Sequence, residues 1–172
     1  RLLEGDVGSG KTLVALMAAL ECVNAGFQVA FLAPTEILAN QHFETAKRFY
    51  DFDGRQNCRI GLLTNSYSTL DNKKLTKIEL QKLITNGMPG IYLGTHAILQ
   101  KKVKFKNLAL VIIDEQHRFG VDQRSSLMQV TGKVPHLLSL SATPIPRTLQ
   151  LAFYGELDIS QIKSKPQGRK AI

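Results

Sequence analysis

The residues Gly5-Asp6-Val7-Gly8-Ser9-Gly10-Lys11-Thr12 read as a glycine, four residues, then Gly-Lys-Thr, the spacing of a phosphate-binding loop. Successive glycines let the backbone wrap its N–H groups around a polyanion, while the positive end of the following helix faces the same charge. Lys11 is placed to reach the β- and γ-phosphates of a nucleoside triphosphate, and the Thr12 hydroxyl to complete the shell of a magnesium ion. A strand-to-helix turn with an incidental lysine is the blander alternative, and the strand-loop-helix context argues against it.

A second constellation, Asp114-Glu115-Gln116-His117, follows a nearly all-apolar run from Leu108 to Ile113. Such a run suits a central strand buried on both faces, and open α/β sheets place their ligands at the carboxyl edge of such strands. Two adjacent carboxylates there need a cation. Asp114 is suited to hold magnesium, directly or through water, and Glu115 to polarise the water that attacks a γ-phosphate. Taken alone, the acids could instead cap the next helix, with His117 on the surface. A guanine-specific switch protein is set aside, because Asn72-Lys73-Lys74-Leu75 has leucine where Asn-Lys-x-Asp needs its base-reading acid. Nothing in the residues themselves selects adenine.

The elements that must position these groups alternate between strand and helix, the pattern of a mostly parallel sheet with crossover helices. A strand at Leu2-Leu3 leads into the Gly-rich loop. A helix from Thr12 to Asn24 carries Val14, Leu16, Met17, Leu20 and Val23 on its apolar face and stops at Gly26. Strands follow at Val29 to Leu32, Ile60 to Leu63, Ile91 to Leu93, Leu108 to Ile113 and Leu137 to Leu140, with helices from Ile37 to Phe49 and within Lys73 to Thr85. Thr64 to Asn72 reads as a loop. Lys101-Lys102-Val103-Lys104-Phe105-Lys106 alternates as a half-buried edge strand would. The polar run from Ser164 to Ala171 reads as a linker.

The chain has 172 residues, 44% of them hydrophobic, enough for one sizeable core. Its net charge of +8 favours a polyanionic partner. No stretch approaches the roughly 18 apolar residues of a membrane span, and no secretory pattern opens the chain, so a soluble, cytoplasmic protein without a membrane partner is expected. Starting at Arg1 just before its main motif, it reads as an excised fragment. Cys22 and Cys58 show neither metal-ligand nor redox spacing and are expected to be reduced and structural.

With Asp114-Glu115-Gln116-His117 in place, the chain resembles superfamily 2 helicases, and its continuation Arg118-Phe119-Gly120-Val121 resembles the RecG family, ATP-dependent helicases of branched DNA. Ala33-Pro34-Thr35-Glu36-Ile37-Leu38-Ala39 is similar to helicase motif Ia, Gly94-Thr95-His96-Ala97 to motif Ib, and Ser141-Ala142-Thr143-Pro144-Ile145-Pro146-Arg147-Thr148 to motif III. The resemblance covers nearly the whole chain. The loop alone marks a large superclass; the continuation after Asp-Glu and the Pro-Ile-Pro-Arg-Thr extension are narrower. Transcription-repair coupling factors have a similar motor but usually read Glu-Gln after Asp-Glu, so Gln116-His117 favours RecG.

The resemblance implies a three-layer, RecA-like α/β domain over residues 1–163, with 164–172 starting a linker to a second RecA-like domain. It implies ATP and Mg2+ as cofactors, held by Gly5 to Thr12 with Asp114, Glu115 and His117. It places Thr35, Glu36, Thr95 and His96 on a DNA-facing surface, and makes Ser141 and Thr143 the link between nucleotide and DNA. Singly, these could be a helix start, a turn and a capped strand end. A motor must grip any sequence, so contacts to DNA phosphates are expected. In this family the second domain normally supplies an arginine finger, so the isolated fragment is expected to bind Mg-ATP weakly and unwind nothing. A small-molecule kinase and a nucleotide-binding module without turnover are the rival classes.

Overall fold

The computed structural model describes residues 1–52, 58–99, 103–114, 135–142 and 158–163. Its elements are β1 (Leu2–Gly5), α1 (Lys11–Asn24), β2 (Gln28–Leu32), α2 (Glu36–Phe52), β3 (Ile60–Leu63), β4 (Ser68–Leu70), β5 (Lys73–Lys74), α3 (Lys77–Thr85), β6 (Gly90–Gly94), a 3-10 turn (His96–Leu99), β7 (Leu108–Asp114), β8 (His136–Ser141) and β9 (Ile159–Ile162). The described strands join in the order β5-β4-β3-β6-β2-β7-β8-β1-β9. From β3 to β9 in that order every pairing is parallel, and only the β3–β4 and β4–β5 pairings are antiparallel.

Alternation along the central strands builds the layers, because successive side chains leave opposite faces of a sheet. Val29 and Phe31 of β2 and Leu110 and Ile112 of β7 pack with Leu16 and Leu20 of α1 and Phe43 and Tyr50 of α2. Ala30, Leu32, Val111 and Ile113 face the other way, onto Leu80 and Ile84 of α3 with Ile98, Val103 and Phe105. The mostly parallel, three-layer α/β architecture expected from the sequence is present. Among the described residues no helix is long and apolar enough to cross a membrane.

Several local expectations shift. On α1 the buried residues are Ala15, Leu16, Ala19, Leu20 and Val23, whereas Val14 and Met17 are exposed; two alanines let the helix sit close to the sheet, and the apolar stripe turns toward them. Thr64 to Asn72 is not a plain loop. The Thr64 hydroxyl accepts the amides of Ser66 and Tyr67, closing a turn into β4, and Asp71 at φ 54° turns the chain again toward β5. These strands escape a pattern search because they are short, polar and at most half-buried. α3 therefore begins at Lys77 rather than Lys73, started by a capping box in which Thr76 and Glu79 satisfy each other's amides. β9 was not anticipated; it adds a parallel edge beside β1.

Val103 and Phe105 are buried and Lys104 and Lys106 exposed, as an alternating segment requires, but residues 103–107 belong to no strand. Their polar partner is Gln28, fully buried at the start of β2, where the β2–β7 register slips. Its Oε1 accepts the amides of Lys106 and Asn107 at 3.0 and 2.9 Å, and its Nε2 donates to the Ile84 and Met88 carbonyls at 2.8 and 3.3 Å. The Ile84 and Met88 carbonyls also accept from the Gly87 amide and the Tyr92 hydroxyl, so Gln28→Ala strands the Lys106 and Asn107 amides, each costing about 1–3 kcal/mol when left unpaired. A loss of roughly 2 kcal/mol or more is expected from urea unfolding; an unchanged midpoint would contradict the role.

Candidate functional site

Three neighbouring strands deliver the nucleotide candidates to one edge. β8 lies between β7 and β1, with Asp114 opposite Leu140 and Glu4 opposite Ser141. The strands run parallel, so Gly5, Ser141 and Asp114 end together at their carboxyl edge. Two inter-strand spacings put the ends of β1 and β7 roughly 10 Å apart, a gap that a metal-bound triphosphate can span.

Gly8 and Gly10 take positive φ of 79° and 95°, a region that side chains with a Cβ rarely enter. The Ser9 amide donates to the Asp6 carbonyl at 3.1 Å, closing the loop on itself. α1 then starts after Gly10 with no side-chain cap, and the positive end of a helix favours an anion. A Cβ at Gly5 would press on the Ser9 hydroxyl at 2.6 Å. That hydroxyl is buried and has no hydrogen-bond partner among the described residues. An unsatisfied donor inside a loop of wrapped amides fits a phosphate oxygen, and the oxygen donors of Thr12 and Asp114 fit a hard divalent cation. Lys11 Nζ donates to the carbonyls of Gly5 and Asp6 at 2.6 and 2.8 Å, which lays its ammonium across the cradle. Thr12 stands half-buried on the first turn of α1.

Asp114 holds an unforeseen partner. Its Oδ2 lies 2.6 Å from Nε2 of His42 on α2, with both side chains largely buried at 12% and 16% exposure. The His42 ring also stacks at a tilt on Phe31, centroids 4.8 Å apart. No spacing rule could pair residues 72 positions apart in the chain; only the β2–β7 adjacency brings α2 to the end of β7.

The candidate DNA-facing residues gather on the adjoining stretch of the same edge. β2 and β6 are neighbours, and the Ala33 amide donates to the Gly94 carbonyl at 2.9 Å. Thr35 Oγ1 accepts the Leu38 amide at 3.2 Å, so its helix-start reading is correct. Glu36 Oε1 accepts the Asn65 amide at 2.9 Å and ties α2 to the β3–β4 turn. Thr95 follows β6, its carbonyl accepting the Ile98 amide at 3.0 Å, and His96 opens the 3-10 turn. At Gly94 an added Cβ would collide with the Leu63 carbonyl of the neighbouring strand, which explains the glycine. Ser141 is buried at the end of β8. Glu115, His117 and Thr143 lie outside the described residues, as does the segment 164–172.

Cys22 and Cys58 are free thiols. Burial, and after it the charge of Asp71, pushes the Cys58 thiol up to about 11, and burial with Glu21 raises Cys22. Neither has the depressed pKa of a reactive cysteine.

The chain matches the model of the DEAD/DEAH box helicase family over residues 2–152. It is 50% identical to the ATP-dependent DNA helicase RecG of Aquifex aeolicus and 49% identical to that of Thermotoga maritima, each match covering 100% of this chain and 21% of the relative. The chain thus spans about a fifth of the length of the curated relatives it matches. Among solved structures it is similar to RecG bound to a three-way DNA junction, with a TM-score of 0.75, 44% identity, and coverage of 100% of this chain and 22% of that one. The Hef helicase domain of Pyrococcus furiosus, at 21% identity and a TM-score of 0.68 over 95% of this chain and 35% of that one, shares the fold.

Proposed function

Because the chain belongs to the DEAD/DEAH box helicase family, we propose that it is the ATP-binding motor domain of a RecG-type helicase, coupling hydrolysis of Mg-ATP to unwinding of branched DNA. One observation carries this reading: the wrapped loop with its unsatisfied Ser9 hydroxyl follows β1 and the Asp114 carboxylate ends β7, at one edge of the sheet with only β8 between them.

In this reading the amides of residues 5–12 cradle the phosphates, and Lys11 swings from the Gly5 and Asp6 carbonyls to the β- and γ-phosphates. Thr12 and Asp114 hold magnesium, which when bound offsets the charge of the phosphate oxygens. Glu115 orients and polarises the attacking water. Thr35, Glu36, Thr95 and His96 face the DNA backbone, and Ser141, seated between the two nucleotide-holding strands, joins with Thr143 and His117 in relaying their movement. A second RecA-like domain closes over the nucleotide and supplies an arginine, and the protein works in the cytoplasm. Family membership sets aside the small-molecule kinase.

The test is the ATPase rate of the intact protein without DNA, with linear duplex and with a three-way junction. The junction is expected to stimulate turnover roughly fivefold or more beyond the duplex, within the usual range of coupling between sites. Equal stimulation by both would indicate a transcription-coupled type of motor. No response to any DNA would overturn the motor reading.

A further inference from the structure

The His42–Asp114 contact has a feature that the proposed nucleotide chemistry does not itself require. A carboxylate can only accept, so the ring must donate from Nε2, and the 2.6 Å separation is that of a short, charge-assisted hydrogen bond. The bond is made to Oδ2, and among the described residues no hydrogen bond engages Oδ1. Both groups are largely shielded from water, which strengthens the contact. The ring itself is held: Phe31 stacks on one side, and the next residue on α2, Phe43, is anchored in the core. A rigid helix and a rigid strand therefore meet through one bond at the end of β7.

From this geometry we infer that His42 is a positioning residue: its Nε2–H fixes the rotamer of the Asp114 carboxylate so that the free oxygen is presented toward the phosphate loop for a divalent cation. The inference rests on the nucleotide reading above and adds to it a residue outside the phosphate loop and the acidic pair. A carboxylate without this bond is open to other rotamers, and a cation must then order it on binding. Removal of such an outer partner commonly weakens metal affinity by about 10- to 100-fold.

The test uses the intact protein and Mn2+ as the probe, counted by electron paramagnetic resonance in the presence of ADP. His42→Ala is expected to weaken Mn2+ binding about tenfold or more, while affinity for ADP in metal-free buffer stays at the wild-type level. The free Mg2+ needed for half-maximal ATPase should rise in parallel, with kcat recovering at saturating Mg2+. His42→Gln, whose amide Nε2–H can still donate, should restore most of the affinity; failure of that rescue would count against a hydrogen-bonding role. Asp114→Asn separates the two levels of the argument. If it abolishes Mn2+ binding while His42→Ala leaves binding unchanged, the positioning role is overturned and the nucleotide site stands. If Asp114→Asn itself leaves Mn2+ binding intact, the metal-holding assignment falls, and the role of His42 with it.

Discussion

Lys11→Ala is expected to lower ATP affinity by roughly 10- to 100-fold, with a greater loss in turnover. The magnitude follows from the contact removed. A charged donor to a phosphate oxygen contributes about 1.5–3 kcal/mol net, and each 1.4 kcal/mol is a tenfold change in binding. Turnover suffers further because charge builds on the phosphoryl oxygens as the bond breaks, which is where a fixed ammonium acts most strongly. The fold should survive. Lys11 Nζ donates to the Gly5 and Asp6 carbonyls of its own loop, while the core face of α1 is built from Ala15, Leu16, Ala19, Leu20 and Val23. Titration with a fluorescent ATP analogue, beside a thermal melt, checks both halves. Wild-type affinity in a folded variant would remove Lys11 from the phosphate site.

Glu115→Gln is expected to spare nucleotide binding and stall hydrolysis, lowering kcat by roughly 10²- to 10⁴-fold with KM little changed. The amide keeps the shape of the side chain but can no longer take up a proton or polarise water as a carboxylate does. Asp114, one residue earlier, is the contrasting case: it ends β7 and bonds His42, and its loss should be felt in metal affinity first. Single-turnover kinetics with radiolabelled ATP distinguish slow chemistry from slow binding. Normal turnover in Glu115→Gln would defeat the water-polarising role.

What could be read along the chain is what depends on near neighbours. The phosphate loop is eight consecutive residues whose conformation follows from glycines at Gly8 and Gly10, both at positive φ. The buried character of β7 follows from its own apolar run, and the presence of α3 from the helical spacing of Ile78, Leu80, Leu83 and Ile84, though its start at Lys77 was not read. Even there the local signal was overridden in places. The α1 stripe turned toward its alanines, and the Val103–Phe105 alternation buried its apolar members without joining a ladder, while the Lys106 and Asn107 amides that follow go to Gln28 from a distant strand.

Tertiary structure alone decided which ends lie together. The order β7-β8-β1 puts Asp114 and the phosphate loop on one edge, and β3-β6-β2 puts Thr35, Glu36 and Thr95 on the next stretch of it. The same adjacency made His42 a partner of Asp114. Strand order and register are set by which distant apolar faces bury one another, and a single short bond such as His42–Asp114 is a consequence of that packing. A linear pattern specifies which face of a segment seeks cover, and only the folded chain specifies what covers it.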